Sequence, residues 1–225
     1  MTLKRVRSIA AKTSLGIVSL VFLFQLTGCF ATSNYYTGKT AEEGEKVLTA
    51  GFDNIVIQDT ETGETAKRDM PFTPTFGLAF GLPLRFELGL RWYFLRTLEA
   101  DLRWQATPIS YKPFNLSLNL HAGLWELHTQ YMKYGATISK QLGKFEPALS
   151  FFEYEYRGSF DLEEGLFGEG SHDFRVKTRV LSLGLAYHVP HAILIPEANY
   201  QYSPGHFGPG VIYYGLGIRI LINDK

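Results

Sequence analysis

Residues 85–94 read Arg-Phe-Glu-Leu-Gly-Leu-Arg-Trp-Tyr-Phe. Successive side chains of an extended strand point to opposite faces, so this stretch separates into two chemistries. Phe86, Leu88, Leu90, Trp92 and Phe94 share one face; Arg85, Glu87, Gly89, Arg91 and Tyr93 share the other. The next stretch repeats the pattern, with Leu98, Ala100, Leu102, Trp104 and Ala106 opposite Glu99, Asp101, Arg103, Gln105 and Thr107. Further on, Phe114 to Leu124 alternates with Asn115, Ser117, Asn119, His121 and Gly123, and Ile212 to Ile220 alternates with Tyr213, Gly215, Gly217 and Arg219. Period-two alternation over this many segments predicts an all-β chain. Ten strands are expected, near 45–57, 72–82, 85–94, 98–107, 114–125, 131–140, 145–157, 174–187, 192–202 and 211–222.

The two faces differ in a telling way. The polar one is rich in glycine (Gly77, Gly81, Gly89, Gly123, Gly135, Gly215, Gly217) with charges of both signs between. A solvated surface does not need so many small residues, whereas the crowded interior of a narrow barrel does. The apolar face is bulky, and Trp92, Trp104, Tyr131, Tyr154, Tyr156, Tyr200, Tyr202, Tyr213 and Tyr214 lie near strand ends. Rings at that level suit a membrane–water boundary. Strands of about ten residues suit a tilted bilayer crossing. The expected fold is a closed antiparallel up-and-down β-barrel with greasy side chains outward and ionised ones inward. An even strand count places the even-numbered connections on one side as short turns. The longer ones, 58–69 and 158–173, are then on the other side, free to meet an outside partner.

Upstream of the strands, Lys4, Arg5, Arg7 and Lys12 precede an apolar run from Leu15 to Leu26, and the sole cysteine closes Leu26-Thr27-Gly28-Cys29. A run of twelve residues broken only by Ser19 and Gln25 suits a secretory signal and falls short of a helical span. These residues resemble a bacterial lipobox, and the strand pattern over 45–222 resembles small outer-membrane barrels. That resemblance implies removal of residues 1–28, acylation of Cys29 and residence in the bacterial outer membrane, with membrane lipids as partners. Residues 29–43 then read as a lipidated tether and 44–225 as the barrel. The chain departs from the barrel pattern at its end, Asn223-Asp224-Lys225, where a terminal aromatic is usual.

Charge excludes one class of partner. Of 22 Lys+Arg and 22 Asp+Glu, four basic residues lie in the leader, which leaves −4 on residues 29–225 and no basic face for nucleic acid. The expected lumen cluster comprises Arg85, Glu87, Arg91, Glu99, Asp101, Arg103, Arg175, Lys177 and Arg179, joined by His121, Lys133, Glu153, Glu155, Arg157, Glu197 and Arg219. Placing Arg175, Lys177 and Arg179 on the same face as Ser182 and Gly184 requires a bulge near Val180. A ten-stranded lumen is narrow enough for side chains to fill, so a paired plug is expected, with a structural or surface-interaction role and no cofactor. Three alternatives follow from the same residues. One is a narrow channel for small polar or anionic solutes. The second is a lipid-modifying enzyme using His121, Ser117 and Asp101. The third inverts the faces, giving a soluble lipocalin-like barrel around an apolar ligand. His188 and His191 are too few for a metal site, and no zinc spacing, phosphate-binding loop or dinucleotide fingerprint occurs.

Overall fold

The computed structural model describes residues 33–57, 68–69, 73–93, 97–108, 113–125, 129–162, 170–204 and 211–222. The leader and Cys29 lie outside the described residues, as does most of the connection 58–69. Ten long strands run β1 (Lys46–Ile57), β3 (Thr73–Leu82), β4 (Phe86–Tyr93), β5 (Thr97–Gln105), β6 (Asn115–Trp125), β7 (Thr129–Ser139), β8 (Phe145–Leu162), β9 (Gly170–Val189), β10 (Ala192–Tyr202) and β11 (Val211–Ile222). A two-residue piece, β2 (Arg68–Asp69), pairs with the end of β1. Each long strand is antiparallel to its sequence neighbour, and β1 pairs with β11 from Lys46↔Ile222 to Val56↔Ile212. The sheet is therefore closed, and among the described residues only the extension of β8 and β9 beyond Arg157 and Arg179 lacks outer partners.

One end carries the turns β3–β4, β5–β6, β7–β8 and β9–β10. Pro83–Arg85 makes the first as a single 3-10 turn, and Gly143, at φ 65°, supplies the left-handed residue of the third. We call this the turn end and the opposite one the loop end. At the loop end, β8 and β9 remain paired as far as Leu162↔Gly170. The expected loop 158–173 is thus a β-ribbon at its base. Both strands are longer than the alternation suggested, because residues 158–162 still pair along the backbone with 170–174.

Burial is inverted relative to a water-soluble barrel. Glu87, Glu99, Arg103, His121 and Lys133 are fully buried, while Leu88, Leu90, Trp92, Leu118, Leu183 and Leu216 are exposed on the outside. Aromatic rings bound the outer apolar zone. Phe86 with Trp104 and Phe145 with Tyr187 lie at the turn end, and Trp92, Tyr200 and Tyr214 toward the loop end.

Three expectations about facing need correction. Tyr131, Tyr154, Tyr156 and Tyr213 point into the lumen and not outward. Glu153, Glu155, Arg157, Arg175, Lys177 and Arg179 lie on the outside and not in the lumen cluster. No bulge interrupts β9, whose register with β8 runs unbroken from Phe145↔Tyr187 to Leu162↔Gly170. The physical reason is that Leu149, Phe151, Leu181, Leu183 and Leu185 fix the outward parity of both strands, and an intact ladder carries it to the loop end. Pro196 faces outward in mid-strand. The β9–β10 register skips Ile195 and Pro196, where the imide has no N–H to donate.

Candidate functional site: a lumen closed by residues 33–41

Residues 33–41, expected as part of a tether, are packed inside the barrel. Ser33, Asn34, Tyr35, Tyr36 and Thr37 are buried to 3% exposure or less. From the turn end, where Gly44 N–H donates to Gly81 O, the segment runs back into the lumen. It makes no ladder with the wall, so its backbone donors need other acceptors. Wall side chains supply them. Ser33 N–H donates to Asp53 Oδ2 (3.1 Å), Asn34 and Tyr35 N–H to the two oxygens of Glu197 (2.9 and 2.7 Å), and Gly38 N–H to Ser139 Oγ (2.8 Å). Thr40 N–H reaches Gln105 Oε1 (3.2 Å) and Ala41 N–H reaches Glu87 Oε2 (2.6 Å).

Two tyrosines lock the segment. The Tyr35 ring lies flat on the cross-strand pair Gly51↔Gly217, and its hydroxyl donates to Asp53 Oδ1 at 2.6 Å. A Cβ on either glycine would overlap that ring. These inward glycines therefore form the slot for a side chain that comes from outside the sheet. Gly123 and Gly135 instead make room for rings of the wall itself, those of their cross-strand partners Tyr131 and Phe152. Tyr36 is held between the guanidinium groups of Arg91 (4.0 Å) and Arg103 (3.9 Å), a cation–π sandwich at the barrel centre. Gly217→Val should expel Tyr35. Exchange of the Tyr35 and Tyr36 amides with solvent should accelerate by at least tenfold, while the barrel amides of β4–β7 stay protected.

Around this segment the charges compensate one another. Glu87 accepts from Arg103 Nη1 (2.8 Å) and from Arg219 Nη2 (3.0 Å), and Arg103 Nε donates to Asn119 Oδ1 (3.0 Å). Arg91 Nε stands 3.5 Å from Asp101 Oδ2. Glu99 takes Tyr131 Oη (2.7 Å), Tyr93 Oη (3.2 Å) and His121 Nδ1 (3.0 Å), with Lys133 Nζ at 3.9 Å. Of the expected lumen cluster, the structure brings together Glu87, Arg91, Glu99, Asp101 and Arg103. Arg85 sits at the turn-end rim, its Nη1 donating to Ala106 O at 3.4 Å.

The proposed catalytic set is not assembled. Ser117 Oγ donates to Asn119 Oδ1, and four strand positions, ~13 Å, separate Ser117 from His121. His121 is oriented by Glu99 rather than Asp101, and its ring lies between Tyr36 and Phe152. Glu99, Asp101 and His121 do offer ligand atoms within 4.8 Å of one another. However, Arg91 and Lys133 already supply two positive charges there, so a divalent ion would meet repulsion where a metal site needs excess negative charge.

Sequence reasoning missed the inserted segment. Its signal was present: a Tyr35-Tyr36 pair in an otherwise polar stretch, facing a barrel whose inward positions are short of side-chain volume at Gly51, Gly215 and Gly217.

No protein-family model matches the chain, and no curated protein matches it. Among solved structures, the N-terminal β-barrel domain of Pseudomonas aeruginosa OprF is 11% identical, covers 81% of this chain and 100% of its own, with a TM-score of 0.36. Ail, the attachment invasion locus protein of Yersinia pestis, is 10% identical, covering 80% of this chain and 99% of its own at a TM-score of 0.40. An outer membrane channel from Pseudomonas putida is 11% identical, covering 86% and 100% at a TM-score of 0.44. The functional reading therefore rests on this chain's own surfaces.

Proposed function

We propose that this protein is a lipid-anchored β-barrel of the bacterial outer membrane, sealed by its own N-terminal segment. Its role is then structural or surface-interacting and not catalytic. The observation that carries this reading is the inversion of burial. Leu88, Leu90, Leu118, Leu120, Leu183 and Leu216 face outward around the wall. A soluble monomer rarely exposes a continuous apolar zone beyond a few hundred Å². Hydrocarbon accepts such a zone and tolerates the backbone only in a closed ladder. The inversion also argues against a lipocalin-like carrier, whose greasy face would enclose the ligand. A lumen crossed by residues 33–41 argues against an open pore. In this reading Cys29 carries the acyl chains, and the β8–β9 ribbon with the connection 58–69 faces the outside, where a partner would be met.

The test is partition. The mature chain with Cys29→Ser should still require detergent and insert into phospholipid vesicles, since the wall, not the lipid, holds it there. The unaltered chain expressed in a bacterial host should incorporate labelled palmitate, and Cys29→Ser should not. A Cys29→Ser protein that stays monomeric and soluble without detergent sinks the membrane reading. Leu90→Arg, at mid-wall, should cost ~2–4 kcal/mol of folding stability in vesicles, a depth-dependent penalty that a water-facing residue does not show. A urea titration in vesicles measures it.

A further inference from the structure

We infer that the outward face of β8 and β9 at the loop end binds the phosphate of an anionic lipid headgroup. The inference rests on the membrane reading above and deepens it. On this face the apolar rows end abruptly. Phe151 and Leu181 are the last greasy residues of β8 and β9, and the next outward positions are Glu153, Glu155 and Arg157 on one strand and Arg179, Lys177 and Arg175 on the other. The change falls level with Tyr134, which pairs with Glu153, and with Tyr202, which pairs with Arg179. Tyr202 closes β10 at the loop end and stacks on Tyr200 in the aromatic boundary, so the charges begin where the headgroup layer begins.

Within the patch, four cations share two carboxylates. Arg157 and Arg175 (Nη2, 2.8 Å) converge on Glu155, while Arg179 Nε (3.2 Å) and Lys177 Nζ (3.4 Å) converge on Glu153. Two positive charges are therefore left over among the described residues. The carboxylates are nearly covered, with side-chain exposures of 12% and 16%, whereas the cations show 41–64%. The acids thus serve as struts that hold guanidinium and ammonium groups apart and outward. Arg presents a fork matched to phosphate oxygens, and Lys adds a point charge. Directly beneath, Phe151, Leu181 and Leu183 form a greasy wall continuous with the patch, and Met132 flanks it opposite Glu155. A free phosphate would use only the upper half of this surface. A lipid uses both, its phosphate above and its acyl chain below.

The experiment is native mass spectrometry of the folded protein in neutral detergent, titrated with diphosphorylated lipid A, with phosphatidylcholine, or with inorganic phosphate. The wild type should retain lipid A at least tenfold more strongly than phosphatidylcholine, and inorganic phosphate weakly. The triple variant R175Q/K177Q/R179Q should lose that preference by at least tenfold while keeping its heat-modifiable mobility. Glu153→Gln/Glu155→Gln, which removes the competing anions, should strengthen lipid A retention several-fold, so the two variants move in opposite directions. Equal retention by wild type and the triple variant, or retention of inorganic phosphate alone, overturns the inference. A protein that inserts into vesicles yet shows no headgroup preference refutes this site and spares the membrane reading. Failure to insert refutes both.

Discussion

Deleting Ser33–Ala41 should turn a sealed barrel into a conducting one. In planar bilayers the full mature chain is expected to give a silent baseline, and the deletion to give discrete current steps. The space vacated is the cross-section of an extended peptide running along the barrel axis, wide enough for water and a small ion. Its walls would then hydrate, because Asp53, Glu87, Glu197, Ser139 and Gln105 each lose a backbone donor from the segment. A polar surface freed of its partners recruits water rather than collapsing. The sign of the selectivity follows from the buried charges. Among the described residues Asp53, Glu87, Glu99, Asp101, Glu146 and Glu197 face Arg91, Arg103, Lys133 and Arg219, an excess of two negative charges. The opened lumen should therefore prefer cations, contrary to the anion preference that a basic Arg175–Arg179 lining would have implied. The milder pair Tyr35→Ala and Tyr36→Ala should give brief openings, since each removes one anchor and leaves the backbone bonds. Absence of current from a deletion variant that folds and inserts would show that the wall side chains alone fill the lumen.

The contrast between β4–β5 and β8–β9 shows what the sequence could and could not tell. On β4 and β5 the charged and greasy faces keep one parity from end to end, so Glu87, Arg91, Glu99, Asp101 and Arg103 could be placed inside from alternation alone. The register, which sets Glu87 opposite Arg103 and Arg91 opposite Glu99, came only with the structure. On β8 and β9 the outward face is apolar in the turn-end half and charged in the loop-end half. A rule that charges face inward then forces a false phase change. What decides parity is the ladder, a tertiary property that a single strand does not display. The inserted segment was hidden for a related reason. Nothing in FATSNYYTGKTAEE reports its partners, because its order comes from hydrogen bonds to Asp53, Glu197 and Glu87, all distant in sequence. The Tyr35-Tyr36 pair and the missing volume at Gly51, Gly215 and Gly217 together hinted at an insertion, without naming its contacts.

Glu87→Ala should be the most destabilising single substitution in the lumen, at about 3–5 kcal/mol, the usual cost of stranding a buried charge partner. Glu87 is fully buried and holds Arg103, Arg219 and the Ala41 N–H together. Its removal leaves two guanidinium groups that no longer share an anion and repel each other across the lumen. Arg219→Ala should cost less, because Glu87 keeps Arg103 and the backbone donor. The double variant should be less destabilised than the sum of the singles, since removing one cation relieves the repulsion that the other substitution creates. A urea titration in vesicles, read by tryptophan fluorescence, reports all three. The inserted segment supplies the sharper comparison. In the Ser33–Ala41 deletion water reaches the same guanidinium groups, so Glu87→Ala in that background should cost only ~1 kcal/mol, closer to an exposed pair than a buried one. An equal penalty in both backgrounds would mean that Glu87 stabilises the wall alone. It would then have no part in holding the barrel shut.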